Sequence, residues 1–164
     1  MNDLTAAAAE PPTHDSPGVV APPPLVYLCG LTIGFALEAV LPSAHVPSLA
    51  EWVLGCALLV AGGALAYSFL TTFRRAGTPV DPGESARTLV TGGPYRLTRN
   101  PGYLGMALAY AGIAVASGAL WLFVPLVPVL AVIDRGVIAR EERYLARKFG
   151  AEYTDYRARV RRWL

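Results

Sequence analysis

Charge is what this sequence has least of. Of its 164 residues only 16% are Asp, Glu, Lys or Arg, while 54% are hydrophobic. A soluble domain averages about 25% charged and 45–50% apolar residues. Between Leu25 and Phe73 the only ionisable residues besides tyrosines and cysteines are Glu38, His45 and Glu51, and between Tyr103 and Ile133 there is no Asp, Glu, Lys, Arg or His. Such runs exclude a soluble globule and suit hydrocarbon. Basic residues are missing from the first part altogether, because all 14 Lys and Arg follow Phe73. Residues 1–24 therefore lack the basic start of a secretory signal peptide, and their Ala- and Pro-rich composition reads as a disordered tail. Cysteine is scarce too. Cys29 and Cys56 lie in apolar runs without metal spacing or charged neighbours, so they read as buried, inert thiols with no disulfide framework. Metal-ligand clusters, GxGxxG, nucleic-acid-reading motifs and internal repeats are all missing, and nothing calls for an obligate protein partner.

What is present is a set of apolar runs. Leu25 to Leu41 is a first span closed by Pro42, and Trp52 to Phe73 a second, with Trp52 placed as an interfacial anchor. Residues 25–73 thus read as a two-helix hairpin. The third run, Tyr103 to Ile133, is 31 residues, roughly 46 Å as one helix and too long for one crossing of about 30 Å. Ser117-Gly118 interrupts it, and Pro125 and Pro128 are expected to kink its second half. If it forms a helical hairpin over 103–133, all 14 basic residues share one side and the opposite loops have none, as the positive-inside rule favours. A single span would divide them. The expectation is an all-α integral membrane protein with about four transmembrane helices and both termini cytoplasmic. Glu38, three residues from the outer end of the first span, reads as a snorkelling acid.

Beyond Ile133 the helix is expected to leave the bilayer. Ile138, Leu145, Phe149, Tyr153, Tyr156, Val160 and Trp163 recur at mostly three- and four-residue steps with Arg and Lys between them. This is an amphipathic, interfacial pattern, divided into two helices at Gly150. The basic clusters point to a lipid bilayer as partner and not to nucleic acid.

Two segments carry residues suited to chemistry. In residues 87–105, Asn100 before Pro101 supplies an amide at a helix mouth, Gly92, Gly93, Gly102 and Gly105 permit close approach to the backbone, and Tyr95 and Tyr103 offer aromatic faces to an adenine or a sulfonium. In residues 141–156, Glu141 offers a carboxylate to a ribose or an ammonium group. A hairpin over 103–133 returns both segments to the same membrane face, so 74–164 reads as one ligand-binding region.

The string LVTGGPYRLTRNPGYLG, followed by EERYL, FGAEY, a further Tyr and VRRWL, resembles the isoprenylcysteine carboxyl methyltransferases and their bacterial relatives and, more distantly, the phospholipid N-methyltransferases. The resemblance runs from about Thr88 to the C-terminus; the first two spans match only in being apolar. It implies a bacterial inner membrane as location and S-adenosylmethionine as cofactor, and it carries onto Thr88, Leu89, Val90, Tyr95, Asn100, Pro101, Gly102, Tyr103 and Glu141 as the cofactor's pocket, with Glu142 beside them and Arg135 as the nearest match to a substrate-binding arginine. Departures exist: Asn100 stands where the family often has His, and Arg87 where the isoprenylcysteine enzymes have His. Asn does not titrate, which removes it as a proton carrier. In-line methyl transfer to a carboxylate or thiolate needs positioning and desolvation alone, whereas an amine acceptor needs a base, for which Glu141 or Glu142 is available. The implied acceptor is lipid-like or lipid-modified. A phospholipid amine, a small thiol, a reductase-like protein and a non-catalytic membrane scaffold are the competing readings.

Overall fold

The computed structural model describes residues 16–79 and 84–164; the first 15 residues of the expected tail lie outside them. Six α-helices follow in order: α1 (Pro23–Val40), α2 (Leu49–Ala76), α3 (Pro101–Ser117), α4 (Phe123–Val132), α5 (Ala139–Phe149) and α6 (Ala151–Arg159). A π-helical segment, Ile133–Ile138, joins α4 to α5, so Leu120–Phe149 is one continuous helical stretch. Among the described residues, three helical stretches are long and apolar enough to cross a membrane: Pro23–Val40, Leu49–Ala76 and Leu120–Phe149. The fourth, α3, is apolar but shorter, at 17 residues.

Local chemistry explains the boundaries. Ser48 opens α2 with a reciprocal cap, its hydroxyl accepting from the Glu51 N–H while the Glu51 carboxylate accepts from the Ser48 N–H. The break expected at Ser117-Gly118 is there because Gly118 takes φ +68°, a conformation that costs glycine little and ends the helix. Gly150, at φ +54° and ψ −123°, separates α5 from α6 through a different positive-φ conformation that glycine also adopts readily.

Packing shows that the helices alternate in direction. A Cβ added to Gly55 would meet Ala116 at 2.6 Å, and one on Gly62 would meet the Gly105 carbonyl oxygen at 2.6 Å. The antiparallel α2–α3 seam therefore closes through small residues, as helices do where burial from water is no driving force. Tyr110 donates to the Leu122 carbonyl at 2.9 Å and Tyr103 to Glu141 Oε1 at 2.6 Å. Residues rising along α3 thus meet residues falling back along Leu120–Phe149, which is the expected hairpin. The α1 helix runs beside α3, with Tyr27 donating to the Tyr103 carbonyl at 3.0 Å, and against α4, where Gly30 abuts Val129.

Several expectations need correcting. Residues 16–22 are not a loose tail: Arg140 donates to the Gly18 carbonyl at 2.7 Å, Val20 donates to Gly136, and the helix begins at Pro23. Glu38 does more than snorkel, because it accepts from the Ser43 N–H and hydroxyl and from the Trp121 N–H. It thereby ties the α1–α2 loop to the α3–α4 turn. Both cysteines are free, but Cys29 is exposed on the outer face of α1. The amphipathic face expected to lie on lipid is turned inward at its centre, with Ile138, Tyr153 and Tyr156 each no more than 4% exposed.

Candidate functional site

At the end of the bundle that carries the basic residues, the helices leave a cavity of about 910 Å³, its open mouth included. Each wall comes from a different part of the chain. Phe69 and Phe73 project from the last turns of α2; Thr88, Leu89 and Val90 come from the following loop; Tyr95 sits on a short 3₁₀ turn, Gly93–Arg96. Asn100, Gly102 and Tyr103 come from the start of α3, Glu141, Glu142, Tyr144 and Leu145 from α5, and Tyr153 and Tyr156 from α6. Of the residues picked from sequence, Thr88, Leu89, Val90, Tyr95, Asn100, Gly102, Tyr103, Glu141 and Glu142 all line this cavity. Pro101 is buried behind it as the first residue of α3. Arg135 is exposed on the π-helical turn and does not line it.

The two glutamates are held differently. Glu142, 6% exposed, accepts from Arg99 Nη2 at 2.7 Å and from Arg162 through Nε at 3.1 Å and Nη2 at 2.5 Å. Arg162 also reaches Asp134, which accepts from Trp163 Nε1 at 3.0 Å. The last residues of the chain thus clasp the π turn, α5 and the start of α3. Glu141 meets only the Tyr103 hydroxyl among the described residues. Asn100 sits at the N-cap position of α3, yet its side chain makes no cap bond and donates instead to the Arg162 carbonyl.

The stretch from Leu120 to Val137 rises roughly 27 Å, close to a full hydrocarbon thickness, so Glu141 stands beyond the apolar part of its helix. Burial pushes its carboxyl up to about 7, the Tyr103 hydrogen bond pulls it down, and the Glu142 charge raises it. Burial also raises the Tyr95 hydroxyl, with the charge of Glu141 and then Tyr156 adding to the effect. Tyr153 is pushed up to about 12, first by burial and then by Glu142, against the opposing charges of Arg99, Arg157 and Arg162. The Arg162 guanidinium is raised chiefly by its hydrogen bond to Glu142. Phe69, Phe73 and Tyr95 form an aromatic wall, with ring centroids 4.9 Å apart for Phe69–Phe73 and 5.7 Å for Phe73–Tyr95. The cavity thus combines aromatic faces with two carboxylates, Glu141 and Glu84, that have no Lys or Arg partner among the described residues, a setting suited to a cation.

The sequence profile of the phospholipid methyltransferase family matches residues 50–152. This chain belongs to that family. The match takes in α2, the loop, the hairpin, α5 and the opening of α6, and so covers most of the cavity's walls. A protein of Haemophilus influenzae described as uncharacterized is 40% identical over 62 residues, covering 38% of this chain and 78% of that protein. The cobalt-zinc-cadmium resistance protein CzcN of Cupriavidus metallidurans is 33% identical over 103 residues, 63% of this chain. That match spans only 47% of CzcN. No solved structure matches. As a phospholipid methyltransferase family member the chain is a membrane methyltransferase in the general sense, and the two motif segments read from its sequence are the ones that meet at the cavity.

Sequence reasoning passed over Phe69, Phe73, Arg99, Tyr144 and Arg162. The aromatic pair had a signal, two rings four residues apart at the basic end of a span. Arg99 and Arg162 had none, since surface arginines at a membrane edge look alike until their partners are known.

Proposed function

We propose that this protein transfers the methyl group of S-adenosylmethionine to an acceptor carried on a hydrocarbon anchor, at the membrane face where its basic residues gather. The observation that carries this reading is Glu141: a carboxylate without a Lys or Arg partner among the described residues, set in an aromatic cavity built from the segments that define a methyltransferase family. The lining fits the cofactor's chemistry, since a sulfonium and an ammonium group suit aromatic faces and a lone carboxylate. When bound, that cofactor supplies an electrophilic methyl group on a positively charged sulfur. Glu141 and Tyr103 hold the cationic part, Thr88–Val90 and Tyr95 form the wall against which it lies, and Phe69 and Phe73 keep water away. Positioning and desolvation then carry the rate.

Carboxyl O-methylation of an isoprenylcysteine-like end needs no base and is the acceptor chemistry that the motif resemblance favours. A second reading, methylation of a phospholipid amine, is favoured by the Glu141 carboxyl lying near 7, which suits it to accept a proton at neutrality. With four crossings and the basic face cytoplasmic, as the charge distribution favours, the acceptor reaches the cavity from the bilayer while the cofactor comes from water. Purified protein in nanodiscs, given radiolabelled S-adenosylmethionine with a prenylcysteine or with phosphatidylethanolamine, tests this. Label in the prenylcysteine supports the first reading and label in the phospholipid the second. Failure of intact protein to bind the methyl donor would overturn both.

A further inference from the structure

Asn100 lines the cavity and has two polar side-chain atoms, and the C-terminal residues determine which one is left without a partner among the described residues. Its Nδ2 lies 2.9 Å from the main-chain carbonyl of Arg162. A carbonyl only accepts hydrogen bonds, so the amide orientation is fixed by chemistry: nitrogen toward Arg162, oxygen away from it. The carbonyl is itself held rigidly. Thr98 Oγ1 donates to it at 2.9 Å, and the neighbouring Arg161 carbonyl accepts the Arg99 N–H at 2.9 Å. The Arg162 guanidinium is locked onto Glu142 and Asp134. Asn100 Oδ1 has no partner among the described residues and is not sealed from the cavity that Asn100 lines.

We propose that Arg162 is a positioning residue which, by holding its carbonyl against Asn100 Nδ2, makes Asn100 a hydrogen-bond acceptor toward the bound cofactor. Asn100 then reads an N–H donor, either the exocyclic amine of the adenine or the ammonium of the amino-acid part. This rests on the S-adenosylmethionine reading and adds to it the polarity of one contact. A histidine at this position, with one ring N–H on the Arg162 carbonyl, presents an unprotonated nitrogen in the same direction, so Asn and His are equivalent here as acceptors and not as proton carriers.

The test is a ligand series on the full-length protein in nanodiscs. S-adenosylhomocysteine is compared with S-inosylhomocysteine, in which a carbonyl replaces the adenine amine, and with the analogue lacking the α-amino group. One of the two should bind about tenfold more weakly than S-adenosylhomocysteine, the cost of one hydrogen bond, and thereby identify the amine that is read. In Asn100→Ala that ratio should fall to about one, in Arg162→Ala it should shrink, and in Asn100→His it should persist. A purely structural role would weaken all three ligands by one factor and leave the ratio intact. Equal binding of all three by the wild type, or a ratio unchanged in Asn100→Ala, overturns the proposal. If Asn100→Ala does not fold, loss of the ratio in folded Asn100→His overturns it. No binding of S-adenosylhomocysteine to the wild type overturns the cofactor reading on which it stands.

Discussion

Glu141 and Glu142 are consecutive residues of α5 and both line the cavity, yet what neutralises each ties it to a different region. Glu142 belongs to the frame, where Arg99 and Arg162 meet it and the C-terminal residues tie three helical segments together. Glu141 belongs to the cavity, where a tyrosine hydroxyl is the only donor to it among the described residues. A charge in the frame is matched and holds the fold. A charge in the cavity is left for a ligand to match, and the fold bears its cost. The contrast teaches that neighbouring carboxylates can be told apart by what neutralises them.

The largest expected effect comes from breaking the frame. Glu142→Ala leaves the buried Arg99 guanidinium without its carboxylate and Arg162 with Asp134 alone, and should cost about 3 kcal/mol or more of stability, read as a lower melting temperature in detergent. Next is the α2–α3 seam, where Gly62→Val drives a side chain into the Gly105 carbonyl. Overpacking there should cost about 1–3 kcal/mol without touching a cavity residue, and the same melting measurement checks it.

Glu141→Gln should invert the pattern. The carboxyl lies at about 7 in the fold against an ordinary value of 4.5. The folded state therefore holds a proton that the unfolded state has released, and stability falls as pH rises from about 4.5 through 7. Above that window the penalty is complete, so Glu141→Gln should be more stable than wild type at pH 8 by about 1–3 kcal/mol and indistinguishable from it near pH 4. It should also bind S-adenosylmethionine at least tenfold more weakly at pH 8, measured by calorimetry. Binding of this cationic ligand to the wild type should weaken as pH drops below 7 and Glu141 takes up a proton, whereas the Gln variant should show no such slope. The smallest effect is Tyr103→Phe. Loss of its hydroxyl removes the bond that pulls the Glu141 carboxyl down, so the midpoint of that pH profile should move up and affinity at neutral pH should fall a few-fold.

Much of the frame follows from local rules that a single sequence obeys. Charge-free runs mark the spans, Gly118 and Gly150 end helices because of their positive φ, and the placement of 14 basic residues distinguishes a hairpin from a single span. The candidate site was readable where it coincides with motif segments, as at Thr88–Val90, Asn100–Tyr103 and Glu141. What escaped depends on contacts between distant segments. No periodicity announces the π turn at Ile133–Ile138 or the return of Arg162 onto Glu142 across 20 residues. Nor does composition show that residues 16–22, without Lys or Arg, meet the π turn at Gly136 and the start of α5 at Arg140. The amphipathic face of α5 and α6 was visible as a pattern. Its true neighbour, the cavity and not the lipid, requires knowing where the hairpin returns.

The central claim is that Glu141 is the carboxylate kept for a cationic methyl donor. It is tested most directly by titrating S-adenosylmethionine into wild-type protein and Glu141→Gln at pH 8, with melting curves taken on the same samples. The account predicts binding by the wild type, at least tenfold weaker binding by the variant, and a variant that melts at the same or a higher temperature. Equal affinity in the two proteins, or a variant that loses binding only because it has lost stability, would contradict it.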